Sequence, residues 1–307
     1  MRILFMGTPD IAAECLKALY SAGHDICAVY TRRDKPVGRK QILTSPPTKL
    51  LAQKHGIPVF QPQTLRDGEA YEILKQINPD VICVVAYGKI LPKEILSLPK
   101  YGCINGHASL LPHLRGSAPI QWAIVNGDKQ TGVTTQLMDE GIDTGDILET
   151  AVTEIGDDET AEELFDRLAV ISAELMVSTL QKAKSGLLEP KKQDESQATY
   201  APIIKKEMAH IDFSKTAQEV YNTVRGSYSW PCAYCFINGK RIKVLKAAIS
   251  NLESNKSGVV IKNDEKLVIS CGKGSIEFIT VQPEGGKAMS AKQMLNGNKI
   301  ELGTAVE

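Results

Sequence analysis

Six consecutive apolar residues, Val81-Ile82-Cys83-Val84-Val85-Ala86, constrain the fold of this chain more than any other feature. A strand with one solvated face alternates apolar and polar side chains, so an unbroken apolar run reads as a strand buried on both faces. Such a strand needs helices on each side, and the flanking sequence supplies them. Short apolar runs at 2–6, 26–31 and 57–60 alternate with helical patterns at 11–21, 48–55 and 68–77, with Asp10 placed to cap the first helix. This alternation predicts an α/β architecture, a doubly wound and mostly parallel sheet. Two further strands near 131–138 and 147–155 and a long helix over 159–184 complete it. The apolar face of that helix runs through Leu164, Leu168, Ile171 and Leu175. Ligands of such sheets sit beyond the carboxyl ends of the strands, which directs attention to the loops after Met6 and Ala86.

A different pattern begins after the long helix. Residues 189–197 are polar and aperiodic and read as linker. Beyond 206, Cys235-Phe236-Ile237, Asn238-Gly239 and Arg241-Ile242-Lys243-Val244-Leu245 form a hairpin signal. Short runs at 258–261, 267–271 and 275–281 continue it after one helix near 217–225, which predicts a smaller antiparallel β-barrel. The expected division is a domain over 1–189, a linker over 190–205 and a barrel domain over 206–307.

Composition narrows the function classes. Across 307 residues, 43% are hydrophobic and 23% charged, the balance of a soluble globular protein rather than a disordered or fibrous one. No signal-peptide pattern opens the chain and no run of apolar residues is long enough to span a bilayer, so a cytoplasmic location without a membrane partner is expected, and a monomer is the default. The seven cysteines are scattered and mostly lie in apolar runs, as reduced core thiols do. The close pair Cys232 and Cys235 lacks the second pair or nearby histidines that zinc requires, and no metal is expected.

The 36 basic and 36 acidic side chains cancel overall but are segregated along the chain. Residues 32–49 hold six basic residues (Arg32, Arg33, Lys35, Arg39, Lys40 and Lys49) against Asp34 alone. Residues 139–166 hold twelve acidic residues and no Lys or Arg, and residues 206–307 hold fourteen basic against ten acidic. A charge run is usually a solvated face, but a basic loop followed by a basic domain is also what a nucleic-acid partner requires.

The densest polar cluster in an apolar setting is Asn105-Gly106-His107-Ala108-Ser109. On an extended segment Asn105 and His107 point to one side, and Gly106 between them leaves room for close approach of a ligand. An amide donor beside an imidazole suits stabilising an oxyanion and moving a proton, although a loop histidine beside a capping Asn fits the spacing as well. The stretch Asp139-Glu140-Gly141-Ile142-Asp143-Thr144-Gly145-Asp146 follows a predicted strand and places four carboxylates where one could orient His107. It lacks the ligand spacing of a calcium loop.

These residues, with Ser109-Leu110-Leu111-Pro112 and Arg115-Gly116-Ser117-Ala118-Pro119-Ile120-Gln121, resemble the active-site signature of enzymes that transfer formyl from 10-formyltetrahydrofolate. The opening Phe5-Met6-Gly7-Thr8-Pro9-Asp10, the Pro36-Val37-Gly38-Arg39 loop, Pro58-Val59-Phe60-Gln61-Pro62, Trp230-Pro231 and Ala288-Met289-Ser290-Ala291 resemble the branch of that family acting on methionine esterified to initiator tRNA. The resemblance covers nearly the whole chain. It implies a Rossmann-like catalytic domain and an OB-like, tRNA-holding barrel. It implies Asn105, His107 and Asp143 as the catalytic trio: the first two donate to the oxygen of a tetrahedral intermediate, and Asp143 holds the imidazolium and helps relay a proton. It implies folate contacts from Tyr87, Gly88, Ile90, Ser109, Leu110, Leu111, Pro112, Asp139, Glu140 and Ile142. It further implies tRNA contacts from Lys35, Arg39 and Lys40, and a folate consumed as co-substrate.

Rival readings are a formyltransferase acting on a ribonucleotide or an amino sugar, a formyl-folate hydrolase, and a non-catalytic RNA-binding protein, for which the trio has no use. A nicotinamide dehydrogenase is disfavoured because Gly7-Thr8-Pro9-Asp10 lacks the glycine spacing that pyrophosphate needs.

Overall fold

Apolar runs and helical patterns alternate in the order the sequence predicts, and the backbone follows them. The structure, a computed structural model, describes residues 1–38 and 40–307. Its elements are β1 (Arg2–Gly7), α1 (Asp10–Ser21), β2 (Asp25–Tyr30), β3 (Lys35–Val37), β4 (Ile42–Thr44), α2 (Pro47–Lys54), β5 (Val59–Phe60), α3 (Glu69–Ile77), β6 (Val81–Val85) and α4 (Lys93–Leu96). There follow β7 (Cys103–His107), β8 (Arg115–Gly116), α5 (Pro119–Asn126), β9 (Gln130–Leu137), β10 (Asp146–Glu154), α6 (Ala161–Ser185), β11 (Tyr200–Ala201) and α7 (Ala217–Gly226). The last elements are β12 (Ala233–Ile237), β13 (Lys240–Ser250), β14 (Val260–Lys262), β15 (Leu267–Ser270), β16 (Ser275–Pro283), β17 (Met289–Ser290) and α8 (Ala291–Gly297).

Two units divide the chain. The first comprises Met1–Pro119, Gln130–Glu154 and Phe165–Ala201, and the second Ile120–Lys129, Ile155–Leu164 and Pro202–Glu307. The first unit is built on a seven-stranded sheet in the order β10-β9-β7-β6-β1-β2-β5. Strands β5, β2, β1, β6 and β7 run parallel, while β9 and β10 are antiparallel additions. Every residue of β6 is buried, as its unbroken apolar run requires. The order reverses at β1, which lies between β2 and β6, so the switch point of a doubly wound sheet falls there.

Three local expectations are corrected. Asp10 is not the cap of α1: Pro9 occupies that position, no side chain caps the helix, and Asp10 sits in the first turn, where its charge meets the positive end of the helix dipole. The buried stripe of α6 includes Ser172, Met176, Thr179 and Leu180 beside Leu164 and Leu168, while Ile171 and Leu175 are half-buried. Small polar residues complete this face because they find partners: Cys15 Sγ donates to Ser172 Oγ at 3.3 Å and the hydroxyls of Thr135 and Thr179 lie 2.8 Å apart. An apolar count therefore misjudges the angle of the stripe. Finally, a Cβ on Gly106 would meet Ser172 Oγ at 3.2 Å and the Met176 methyl at 3.3 Å, so this glycine admits α6 rather than a ligand. Alternation along β7 sends residue 106 to the face opposite Asn105 and His107.

The second unit carries the sheet β12-β13-β16-β15-β14, with β17 paired to β16. Asn238 and Gly239 both have positive φ (52° and 71°), as the two-residue turn between β12 and β13 demands. The last residues close the sheet into a barrel: Val306 pairs with Ile237 of β12, and Ala305 pairs with Val259, the residue before β14. Helix α7 opens with a capping box from Thr216 and Glu219 and packs into the barrel core through Val220 and Val224. This unit also takes in two segments far upstream. Arg225 Nη1 donates to the carbonyls of Gly156 and Glu159, each at 3.1 Å, and a Cβ on Gly226 would strike Val125 at 2.6 Å. Residues 190–201, part of the expected linker, are folded onto the first unit, where β11 pairs with β8 and Lys191 bridges Ile147. No helix of the described residues is long and apolar enough to cross a membrane.

Candidate active site

Strand β7 ends the parallel part of the sheet, and its carboxyl end presents Asn105 and His107 on one face, both at least nine-tenths buried. The loop between β9 and β10 brings Asp143 back over them. Asn105 Nδ2 donates to Asp143 Oδ1 at 3.3 Å, and His107 Nδ1 lies 3.6 Å from the same oxygen. The predicted trio is thus one cluster, although 38 residues separate Asn105 from Asp143.

Two further groups complete the carboxylate's surroundings: Gln136, which the sequence did not single out, and Gly116, which appeared in the signature without a role. Gln136, directly across from Asn105 on β9, donates through Nε2 to Asp143 Oδ1 at 2.9 Å. The Gly116 backbone N–H donates to Oδ2 at 2.9 Å. Gly116 has φ +117°, and a Cβ there would lie 2.8 Å from the Ala201 carbonyl oxygen, so only glycine presents its N–H in this position. The other imidazole nitrogen, His107 Nε2, lies 3.0 Å from the Leu114 carbonyl oxygen. A carbonyl can only accept, so Nε2 carries hydrogen here; a second proton on Nδ1 makes an imidazolium facing Asp143.

This arrangement can stabilise a developing oxyanion. A primary amide has two hydrogens, so Asn105 can hold Asp143 with one and donate the other to substrate. The 3.6 Å approach of His107 Nδ1 leaves that donor room to turn onto a substrate oxygen, and such contacts are often long before substrate binds.

Three loops border the trio. The loop after β6 and the loop after β9 are joined through a shared core of Tyr87, Leu91 and Met138 and by an exposed ion pair from Lys93 to Glu140 at 3.2 Å. Both present apolar side chains outward: Ile90 is 59% exposed and Ile142 65%. Asp139 is the brace of its loop, accepting from the Gly141 N–H at 3.0 Å and Thr144 Oγ1 at 2.6 Å. In the third loop Leu111 is buried, while Leu110 and Pro112 are half-buried. Ser109 is fully buried and its polar groups serve the loop itself: Oγ donates to the His113 carbonyl at 2.6 Å and its own carbonyl accepts from Thr134 Oγ1 at 2.7 Å. Tyr87 is also turned inward, its phenol pushed up to about 12 by burial. The Tyr87 and Gly88 carbonyls accept from the Arg32 guanidinium.

The basic stretch forms the β3–β4 hairpin. Asp34 fixes its base, accepting from Lys49 Nζ and Ser45 Oγ at 2.8 Å and from Gln61 Nε2 at 3.0 Å. These partners, Lys49 first, hold its carboxyl down at about 2. Lys49 and Arg32 are therefore committed within the fold, so the local charge overstates what faces solvent. Lys35 and Lys40 are exposed, with Val37, Ile42 and Leu43 exposed beside them. Arg39 lies outside the described residues.

Comparison with known proteins places the chain in a family. Residues 1–180 match the sequence model of the formyl transferase family, and residues 203–299 that of the formyl transferase C-terminal domain. The methionyl-tRNA formyltransferase of Caldanaerobacter subterraneus subsp. tengcongensis is 46% identical over 309 residues, covering 100% of both chains. That of Thermodesulfovibrio yellowstonii is also 46% identical, covering 98% of this chain and 97% of its own. Among solved structures, an N-formyltransferase from Helicobacter canadensis, in complex with folinic acid and dTDP-3-aminofucose, superposes with a TM-score of 0.66 at 24% identity, over 91% of this chain and 98% of that one. Methionyl-tRNA formyltransferase from Clostridium thermocellum gives 0.56 at 20% identity, over 82% and 95%. These two likenesses speak for the fold, and the full-length identities speak for more: this chain is a formyl-transferring enzyme that belongs to the formyl transferase family, among its methionyl-tRNA formyltransferases.

Proposed function

We propose that the first unit binds 10-formyltetrahydrofolate beside the trio and delivers its formyl group to the amine of methionine carried by initiator tRNA. A free α-amino group has a reference pKa of about 8, so a usable share is neutral near pH 7 and the attack needs no strong base. The barrier lies in the tetrahedral, oxyanionic intermediate. Asn105 Nδ2 and His107 donate to that oxygen, and Asp143 steadies the imidazolium and helps pass a proton to the departing folate nitrogen. One observation carries this reading: Asn105 and His107, both buried, converge on a single carboxylate oxygen of Asp143 at 3.3 and 3.6 Å.

The folate donor is supported by the folinic acid bound to the Helicobacter canadensis relative. Ile90 and Ile142 supply apolar walls at the mouth of the site, with Leu110, Leu111 and Pro112 below. Tyr87, Gly88 and Ser109 shape those walls through backbone and packing, and Asp139 and Glu140 brace the facing loop. For the tRNA we assign Lys35, Arg39 and Lys40 to the acceptor end and residues 206–307, with their excess of basic side chains, to the backbone. The first unit, which takes in residues 190–201 of the expected linker, then acts as the catalytic domain, and the barrel as the tRNA-holding domain.

The test is single-turnover formyl transfer by Asn105→Ala and His107→Ala with folate binding measured in parallel. Loss of one oxyanion donor costs roughly 100- to 1000-fold in rate. Near-normal turnover in both variants would remove the assignment.

A further inference from the structure

Asp143 is held in an unfavourable backbone conformation. Its φ is +55°, in the left-handed region, which a residue with a side chain keeps when its surroundings impose it. The carboxylate contacts fix its side chain; its backbone is fixed by a residue 50 positions away. Gln193 Nε2 donates to the Asp143 carbonyl at 2.8 Å and to the Gly145 carbonyl at 2.7 Å, tying together the two ends of the turn that aims Asp143.

Gln193 is itself clamped. Its amide oxygen accepts from Arg115 Nε at 3.0 Å and Nη2 at 2.8 Å. The same guanidinium binds both oxygens of Glu195 at 2.9 and 2.7 Å, and it holds that carboxyl below its ordinary range. Arg115 is 1% exposed, which makes it one of the largest fully buried side chains of the chain. Its neighbour Gly116 supplies the N–H on Asp143 Oδ2, and both lie in β8, paired to Tyr200–Ala201. On the other side of the trio, Leu114, whose carbonyl faces His107, has its N–H bound by Thr199 Oγ1 at 2.8 Å. The strap 193–201 therefore reaches both Asp143 and the carbonyl that orients His107.

We propose that Gln193, anchored by Arg115, is a positioning residue for catalysis: it holds Asp143 in the left-handed conformation from which its carboxylate meets Asn105 and His107. The proposal rests on the assignment of Asp143 given above. Gln193 touches neither member of the pair it serves and acts only through the Asp143 turn.

The discriminating variant is Gln193→Glu. A carboxylate keeps the Arg115 contacts but sets an acceptor against two carbonyl oxygens, so the clamp stays while the hold on the turn is lost. The expected result is a fall in kcat of up to about 100-fold, the scale of a misplaced catalytic group, with KM for folate and for tRNA nearly unchanged. Gln193→Ala, which simply deletes both donors, should behave alike and serves if the glutamate variant folds poorly. Placed in an Asp143→Ala background, Gln193→Glu should cost nothing further, because the group it positions is gone. The ¹⁵N resonances of His107 should move in Gln193→Glu even without substrate. Equal losses in both backgrounds, or unchanged kcat with unchanged His107 resonances, would overturn the proposal. Failure of the unaltered chain to transfer formyl would instead count against the assigned function, since the His107 resonances report the positioning without any turnover.

Discussion

Replacing Asp143 by Asn tests the electrostatic core of the site. The aspartate carboxylate accepts from Asn105 and Gln136 on one oxygen and from the Gly116 N–H on the other. An asparagine must turn its NH₂ toward one of these donor sets, losing one hydrogen bond if it faces Gly116 and two if it faces Asn105 and Gln136, and a donor faces a donor whichever way it turns. The larger effect is on His107. Opposite unit charges about 4 Å apart attract by about 4 kcal/mol at the effective dielectric of a partly shielded protein site, and His107 Nδ1 lies 3.6 Å from the carboxylate, whose side chain is 15% exposed. If that attraction supports the imidazolium in the transition state, its removal slows transfer by about 10³-fold, at 1.36 kcal/mol per decade. The assay is single-turnover transfer of labelled formyl at saturating folate and tRNA, with folate affinity measured separately. A loss of less than about tenfold with folate still bound would rule out this electrostatic role, because a neutral amide would then serve His107 as well as a carboxylate.

Other consequences can be checked more quickly. Lys35→Ala and Lys40→Ala should each weaken tRNA binding and lower the slope of log affinity against log salt by about one for each phosphate contact removed; an unchanged slope would dissociate the hairpin from the phosphates. Burial pushes the thiols of Cys15 and Cys103 up to about 12 and those of Cys83 and Cys235 higher still, so alkylation near pH 8 should leave these four unlabelled in the folded chain, with half-buried Cys27 and Cys232 reacting first; mass mapping decides. Asp34 is held at about 2 against an ordinary 3.8, so it stays ionised in the folded chain at a pH where the unfolded chain has begun to take up a proton. Its contribution is complete above that ordinary value and disappears as pH falls toward about 2. Asp34→Asn should therefore be less stable than the unaltered chain at pH 6, with the gap closing through that window in denaturant titrations; a pH-independent gap would contradict the assignment.

The framework of the first unit was legible because burial on both faces leaves an unbroken apolar signature, and β6 carries it without exception. Asn105 and His107 stood out as a dense polar cluster in an apolar setting, but their spacing also fitted a capped loop, and it was the resemblance that gave them a role. Gln136 gave no comparable signal, since a single polar residue near the end of a strand reads as an edge position until its partner strand is known. Arg115 was legible only as part of the signature stretch, with no role attached, and Gln193 was further out of reach. Gln193 lies in a polar, aperiodic stretch indistinguishable by composition from linker, and only the return of that stretch to β8 gives it a role. The same kind of long-range contact joins segments 120–129 and 155–164 to the second unit, which no local pattern announces. Charge counting overstated the basic loop because it could not register that Arg32 and Lys49 are bound within the fold.

The acceptor is decided by offering one enzyme preparation three amines with labelled 10-formyltetrahydrofolate in single-turnover experiments: methionyl-initiator tRNA, methionyl-elongator tRNA and an amino-sugar nucleotide. Rapid transfer to the initiator alone is expected. Transfer to the sugar nucleotide at a comparable rate, with none to either tRNA, would contradict it while leaving the fold and the trio in place.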